Sequence, residues 1–233
     1  MTEPIAGTGP MQRWRLGMRI ARKRASRSFG TVLALIVVSL VFSASASDGE
    51  WTTSVLLVLG SLTLVAALWT SGLARADSRL SLSLLSVALA VAILAPIVSG
   101  STVLGISAIL TGLVLLGTVG VIARTLAVEP EINLQTVLGA ICIYVLLGMV
   151  FLFLYGAVAL LGSGPFFAQG TDGTRALRLY FSYVTIATLG YGDYTPKTNL
   201  GHMLAILEAL LGQLYLVTVL ALLVSRVRIR KDS

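Results

Sequence analysis

The sequence predicts an all-α membrane protein with six transmembrane helices and a re-entrant segment between the fifth and the sixth. Apolar runs of the ~20 residues that cross a bilayer recur along the chain. Of the 233 residues, 56% are hydrophobic and only 12% are charged, whereas about a quarter are charged in a soluble domain. A glycine-containing hexapeptide, residues 188–193, lies between the last two apolar runs.

Each predicted span is an apolar run bounded by charged residues, glycine or proline. The six spans cover residues 28–47, 52–73, 80–98, 102–123, 130–161 and 200–225. The fifth should begin at Pro130, because a proline in the first turn with acids beside it is a helix-start signal. This division leaves a basic N-terminal segment (1–27), a four-helix domain (28–124), a C-terminal domain (130–226) and a short tail (227–233).

The basic residues predict the orientation. All but three of the 17 lysines and arginines fall in segments that this layout places on one side; the exceptions are Arg175, Arg178 and Lys197. Basic residues favour the cytoplasmic side, so we expect a plasma-membrane protein with both termini cytoplasmic. The net charge of +7 then reflects topology, and no nucleic acid partner is expected.

The first span has a second interpretation as a cleaved signal peptide. Residues 31–42 form an apolar core, and Ala44-Ser45-Ala46 resembles a small-residue cleavage site. The long basic leader favours a retained helix instead. The mass of the mature N-terminus would decide between them, and a start at Ser47 would exclude the six-span arrangement.

The hexapeptide has the composition of a cation-binding loop. Irregular backbone inside a membrane is tolerated where it lines a water-filled path, and several copies of one loop can replace an ion's water with rings of carbonyl oxygens. Gly190 and Gly192 permit the backbone conformations that this needs, and Thr188 can add hydroxyl oxygens. The preceding segment, 174–187, would be a helix of only ~21 Å, whose partly negative C-terminus favours cations.

Residues Thr185-Ile-Ala-Thr188-Leu-Gly-Tyr-Gly-Asp193 resemble the signature of tetrameric potassium channels, as do Pro196 and Gly212. The resemblance covers residues 132–230, under half of the chain. It implies an outer helix, a pore helix, a selectivity filter and an inner helix in each subunit. With one filter and no internal repeat, it further implies a homotetramer.

The implied filter is Thr188, Leu189, Gly190, Tyr191, Gly192 and Asp193, with potassium ions bound at the first four and no other cofactor. Tyr191 is the residue of potassium-selective members, and we expect it to point away from the axis and brace the filter against aromatic neighbours.

Some residues around the implied filter depart from the family pattern. Tyr180 and Phe181 replace two tryptophans, and Val184 replaces a glutamate found behind the filter in some members. Together with Thr185 they would support the filter from the pore helix. Because Phe181 has no N–H, the hydrogen bond often made there to the aspartate after the filter should be missing.

The last span carries the residues that the resemblance connects with gating. Gly212 matches a hinge glycine, although a small residue for close helix packing explains it nearly as well. Glu208 lies one turn earlier; such a carboxyl usually has a partner or a function, and structural hydrogen bonds and a proton-sensitive gate remain open. The residues that share a pore-lining face are Gln213, Leu216, Leu220 and Val224, the last near a cytoplasmic constriction.

The first four spans do not resemble a voltage sensor. Such a sensor needs several arginines inside the membrane, whereas residues 102–123 contain none and Arg124 is only a terminal charge. We therefore expect a scaffold, or a surface for lipids or partners. Because the C-terminal tail is short, we expect regulation to come from the membrane, from pH, from the filter or from a partner.

Three other functions are weaker interpretations. Potassium uptake transporter subunits carry four degenerate filters in one chain, whereas this chain has one. A non-conducting channel-like subunit remains the alternative. An enzyme is not expected, because neither His202 nor Cys142 belongs to a nucleophile–base pair or to a metal-binding spacing.

Overall fold

The computed structural model describes residues 28–71, 100–129 and 133–229. In these ranges the protein is all-helical, and the only β-type pairing is an isolated bridge between Phe167 and Pro196. The helices are α1 (Phe29–Ser45), α2 (Glu50–Ser71), α3 (Ser101–Ala127), α4 (Leu134–Leu161), α5 (Arg175–Ile186) and α6 (Asn199–Ile229). The predicted all-α class is therefore confirmed.

Among the described residues, four helices are long and apolar enough to cross a membrane. They are α2 from Trp51, α3, α4 and the first part of α6, to Val219. Helix α1 is apolar but has only 17 residues, less than the ~20 that cross a bilayer at right angles. The predicted third span, 80–98, lies outside the described residues, as does the basic segment 1–27, so the complete six-span arrangement stays a prediction.

Helix α4 lies at the centre of the fold. It is apolar on all sides, which is the pattern of a helix surrounded by others, and it packs against α1, α3, α5 and α6. Small residues allow the close approach of α3: a Cβ on Gly105 would lie 2.6 Å from Leu161 Cγ, and one on Gly112 would lie 3.6 Å from Phe153 Cβ. Close packing through small residues is a common way for membrane helices to associate.

The contacts of α1 favour the retained first helix over the signal peptide. The Phe29 N–H donates to Gln135 Oε1 at 2.8 Å, and the Phe29 ring is buried together with Val32 and Ile36. Cys142 of α4 is fully buried beside the Phe29 carbonyl, at 3.9 Å. Removal of α1 would therefore uncover part of the core around α4.

The predicted start of α4 is wrong. The helix begins at Leu134 instead of Pro130 because Asn133 and Thr136 form a capping box. The Thr136 N–H donates to Asn133 Oδ1 at 3.0 Å, and the Asn133 N–H donates to Thr136 Oγ1 at 3.4 Å. This pair satisfies two backbone donors at the helix start; Pro130 itself lies outside the described residues.

Helix α5 is short and is fixed at its N-terminus. Thr174 caps it, accepting a hydrogen bond from the Leu177 N–H at 3.1 Å. Both carboxylate oxygens of Asp48 accept the Arg175 N–H, at 3.1 and 3.0 Å, and Arg175 Nη2 lies 3.3 Å from Asp48 Oδ1. The α1–α2 turn and the start of α5 therefore lie at the same end of the bundle, as the predicted topology requires.

Candidate functional site

The 188–193 loop follows α5 directly and has an alternating backbone. The φ angles of Thr188, Gly190 and Gly192 are 57°, 56° and 76°, whereas Leu189 and Tyr191 have negative φ. Alternation of positive and negative φ allows successive peptide units to turn in the same sense, with the N–H groups on one side and the carbonyls on the other. The loop backbone is therefore suited to present a row of oxygens.

The hydrogen bonds around the loop differ between its two ends, and among the described residues the carbonyl oxygens of 188–191 accept none. The N–H groups of Leu189 and Gly190 both donate to the Val184 carbonyl, at 2.9 and 3.4 Å, and the Thr188 N–H donates to the Thr185 carbonyl at 2.9 Å. Within the described part of the chain, no donor reaches the carbonyl oxygens of residues 188–191. The predicted support residues Val184 and Thr185 thus hold the loop through their backbone.

The loop is strained and exposed on a single chain. A β-branched residue with positive φ, such as Thr188, carries roughly 1–3 kcal/mol of strain, which is typical of functional sites. A Cβ on Gly190 or Gly192 would meet nothing within 4 Å, so their φ angles and not crowding favour glycine there. Leu189 and Tyr191 are 57% and 67% exposed, although the loop lies in the chain between the apolar helices α4 and α6.

Asp193 at the end of the loop is held by two side chains. The Tyr180 hydroxyl donates to Asp193 Oδ2 at 2.8 Å, and Gln169 Nε2 donates to the Asp193 carbonyl at 2.9 Å. The bond to Asp193 raises the pKa of the Tyr180 phenol, which keeps it a donor. The Tyr180 ring also stacks on Tyr191, with centroids 6.5 Å apart, whereas the orientation of Tyr191 relative to a pore axis stays a prediction.

The hydrogen bond to Asp193 comes from Tyr180, and the neighbouring Phe181 packs against other aromatic rings. The Phe181 ring is buried in an aromatic cluster with Tyr155, Phe166 and Phe167, at centroid distances of 5.1 to 6.4 Å from each. The loop before α5 enters this cluster and pairs with the chain after the hexapeptide, where the Lys197 N–H donates to the Phe166 carbonyl at 2.8 Å. Both sides of the hexapeptide are thus anchored.

Hydroxyl groups fix α5 to α4. Tyr183 donates to the Val145 carbonyl at 2.7 Å, and Tyr144 donates to the Ile186 carbonyl at 3.3 Å. Ser182 Oγ lies 2.7 Å from the Gly148 carbonyl oxygen. Nothing in the sequence marked these side chains, because Tyr and Ser in apolar helices are common and their partners are backbone carbonyls distant in sequence.

The two gating candidates on α6 are in fact packed against α5. A Cβ on Gly212 would lie 2.5 Å from the Ile186 carbonyl oxygen, so a small residue is required there for close packing. Glu208 is completely buried and forms hydrogen bonds with Tyr155 of α4 and Ser182 of α5. The structural interpretation of both residues is therefore supported, whereas a hinge and a proton-sensitive gate stay predictions.

The predicted pore-lining residues lie away from these contacts. Gln213 and Leu216 are exposed on the single chain, whereas Glu208 and Gly212 are buried. Leu220 and Val224 belong to α6, but their side chains fall outside the described residues. The residues that α6 leaves uncovered are therefore available to face a cavity or another chain.

Backbone oxygens are the cation ligands that this site offers. In the described ranges, no group of three or more His, Cys, Asp or Glu side chains could hold a metal ion. The free carbonyls of residues 188–191 and the Thr188 hydroxyl remain, and both are neutral oxygen ligands. Such ligands suit a cation that must lose its hydration shell and leave again.

Residues 139–228 match the family model described as "Ion channel". The match covers less than half of the chain, so it shows a similarity of this region to ion channels. The matched region contains most of α4, all of α5, the 188–193 loop and nearly all of α6. Because four described helices are also able to cross a membrane, the protein is a multi-pass membrane protein.

A short stretch of the chain is also similar to a curated protein. The "Probable potassium channel protein 2" of Methanocaldococcus jannaschii is 50% identical over 44 residues, which are 19% of this chain and 12% of that protein. The chain thus aligns with only a small part of this relative. No solved structure matches the chain.

Proposed function

We propose that the protein is a potassium-selective channel that conducts passively through a pore formed by four copies of this chain. The observation that carries the proposal is the 188–193 loop, which combines alternating φ with free carbonyls in the part of the chain that matches the ion channel family. Rings of such carbonyls replace the hydration shell of a potassium ion in selectivity filters. In this proposal Thr188 to Tyr191 bind the ions.

The position of α5 supports a cation as the permeant species. The helix ends at Ile186, just before the loop, and the C-terminus of a helix carries a partial negative charge. Tyr191, packed on Tyr180, is the residue expected in a potassium-selective filter. Sodium should therefore permeate much less readily than potassium.

The exposure of the loop supports assembly into a homotetramer. Free carbonyls within a membrane are costly in contact with lipid and are tolerated when they line a water-filled path. One chain leaves residues 187–193 exposed, so further copies must enclose them. Helix α6 agrees with this, since only 11% of its apolar segment is buried compared with 56% in α4.

The remaining assignments follow from this proposal. The protein would lie in the plasma membrane with both termini cytoplasmic, and passive conduction requires neither an enzymatic step nor a cofactor. Strong voltage dependence is not expected, because the only basic residue of α3 is Arg124 near its end. The four leading spans would then serve as a scaffold.

Reversal potentials of the purified protein in planar bilayers test the selectivity. With unequal potassium concentrations on the two sides, balanced by sodium, the current should reverse near the potassium equilibrium potential. Equal permeability to both ions would reject the assignment of Tyr191. Correctly assembled protein without any current would favour the non-conducting subunit instead.

A further inference from the structure

We propose that Glu208 is a protonated carboxylic acid and that, in this form, it positions the helix that carries the filter by joining α5 to α4 and α6. The protonation state follows from hydrogen-bond geometry alone. The positioning role rests on the proposed function of the 188–193 loop, since its effect is measured on ion selectivity.

Three oxygen–oxygen contacts define the site. Glu208 Oε2 lies 2.5 Å from the Tyr155 hydroxyl, and Glu208 Oε1 lies 2.5 Å from Ser182 Oγ. Ser182 Oγ in turn lies 2.7 Å from the Gly148 carbonyl oxygen. The carboxyl group is completely buried, so no solvent can supply a further proton donor.

The number of protons decides the charge of Glu208. A carbonyl oxygen can only accept, and a serine hydroxyl carries one proton, so the contact with Gly148 uses the proton of Ser182. Glu208 Oε1 must then donate to Ser182, which requires the carboxylic acid. If Glu208 were ionised, Ser182 would have to donate to the carboxylate, and its oxygen would face the Gly148 carbonyl without a proton between them.

The surroundings of Glu208 agree with a neutral group. The titratable groups that interact with it are the phenols of Tyr144 and Tyr155 on α4 and Tyr183 on α5. Within the described residues, no lysine, arginine or histidine forms an ion pair with it. A buried carboxylate without a cation is strongly unfavourable, whereas the acid has a partner for each of its oxygens.

The contacts of Glu208 connect α5, which precedes the 188–193 loop, to α4 and α6. Ser182 lies less than two turns before Thr188, so a shift of α5 would move the 188–193 loop. The acid binds α5 through Ser182 and α4 through Tyr155, and Ser182 extends the contact to the backbone of α4. One turn farther along α6, Gly212 packs on Ile186. Glu208 therefore helps to fix the distance between the inner helix and the loop.

Infrared spectroscopy of the purified protein in lipid tests the protonation state and needs no ion conduction. The carbonyl stretch of a protonated carboxyl group should be present in the wild type at neutral pH. It should be lost in Glu208→Gln. Identical intensity in the two proteins would show that Glu208 is ionised and would overturn the proposal.

Flux measurements in liposomes test the positioning role. Gln keeps the shape, donates to Ser182 and accepts from Tyr155, so Glu208→Gln should keep the potassium-to-sodium flux ratio within about twofold. Glu208→Leu and Ser182→Ala break the contacts and should lower the ratio by about tenfold, the effect of one lost hydrogen bond.

A loss in Glu208→Gln as large as in Glu208→Leu would show that the charge matters and would overturn the proposal. Native mass spectrometry of each variant measures its oligomeric state and so distinguishes failed assembly from altered selectivity. If the wild type carries no potassium flux, the proposed function fails, and the infrared comparison still decides the state of Glu208.

Discussion

At the scale of single residues, Gly212 controls how closely α6 approaches α5. A methyl group at this position would lie 2.5 Å from the Ile186 carbonyl oxygen and 2.6 Å from Ile186 Cγ1. Gly212→Ala should therefore lower the free energy of unfolding by about 1–3 kcal/mol, because an overpacked contact forces the backbone apart. Thermal or denaturant unfolding of the purified protein in detergent measures the change.

A second glycine provides the control for this substitution. Gly117 lies on the exposed side of α3, and a Cβ there would meet nothing within 4 Å. Gly117→Ala should leave the stability within about 1 kcal/mol of the wild type or raise it slightly, since alanine favours the helix. Equal losses in both variants would contradict the close contact at Gly212.

The backbone conformation of residues 188–192 could be predicted from the sequence at the glycines but not at Thr188. The glycines at 190 and 192 indicate left-handed conformations from the sequence, and both residues have them. Thr188 also has positive φ. The sequence does not predict this, because β-branched residues disfavour the left-handed region. The surrounding hydrogen bonds to α5 impose that conformation, and they become visible only in the folded chain.

At the scale of elements, the start of α5 depends on Asp48. The carboxylate accepts the Arg175 N–H and pairs with its guanidinium, which is nearly buried. Asp48→Ala should lower the free energy of unfolding by about 1–2 kcal/mol, because Asp48 itself is partly exposed and its ion pair is screened.

Asp48→Asn separates the two contributions of this side chain. It keeps an oxygen for the Arg175 N–H but loses the charge, so about half of the effect of alanine should remain. Unfolding curves of both variants check this. Stability equal to that of the wild type in Asp48→Ala would show that the turn before α2 does not hold α5.

The helices themselves could largely be predicted, whereas their connections could not. Apolar runs bounded by charged residues located α2, α3 and α6 to within a few residues. The start of α4 was missed because its capping box uses Thr136 in place of an acidic or amide side chain. The contact between Asp48 and Arg175 joins residues 127 positions apart, and no local pattern predicts such a pair.

The same limit applies to Glu208. A carboxyl within an apolar run indicated a partner or a function, but the sequence could not choose between them. Its partners, Tyr155 and Ser182, lie on two other helices, and neither belongs to a recognisable motif. The site therefore becomes interpretable only once α4, α5 and α6 are packed together.

At the scale of the whole molecule, the proposal requires four chains. Native mass spectrometry of the protein released from detergent should give about four times the chain mass of 24.5 kDa. The physical reason is the loop, whose free carbonyls need copies around a common axis. A stable monomer or dimer under conditions that preserve the fold would contradict the proposed pore.

Potassium flux into liposomes tests the central claim most directly. Wild-type protein should take up potassium along its gradient, whereas Gly190→Asp should abolish the flux, because a side chain is strained at φ 56° and a carboxylate would crowd the row of carbonyls. Gly164→Asp is the matched control: it places the same charge at an exposed loop glycine where a Cβ meets nothing within 4 Å, and it should conduct normally. Equal flux through Gly190→Asp and the wild type would contradict the assignment of residues 188–193 as the potassium filter.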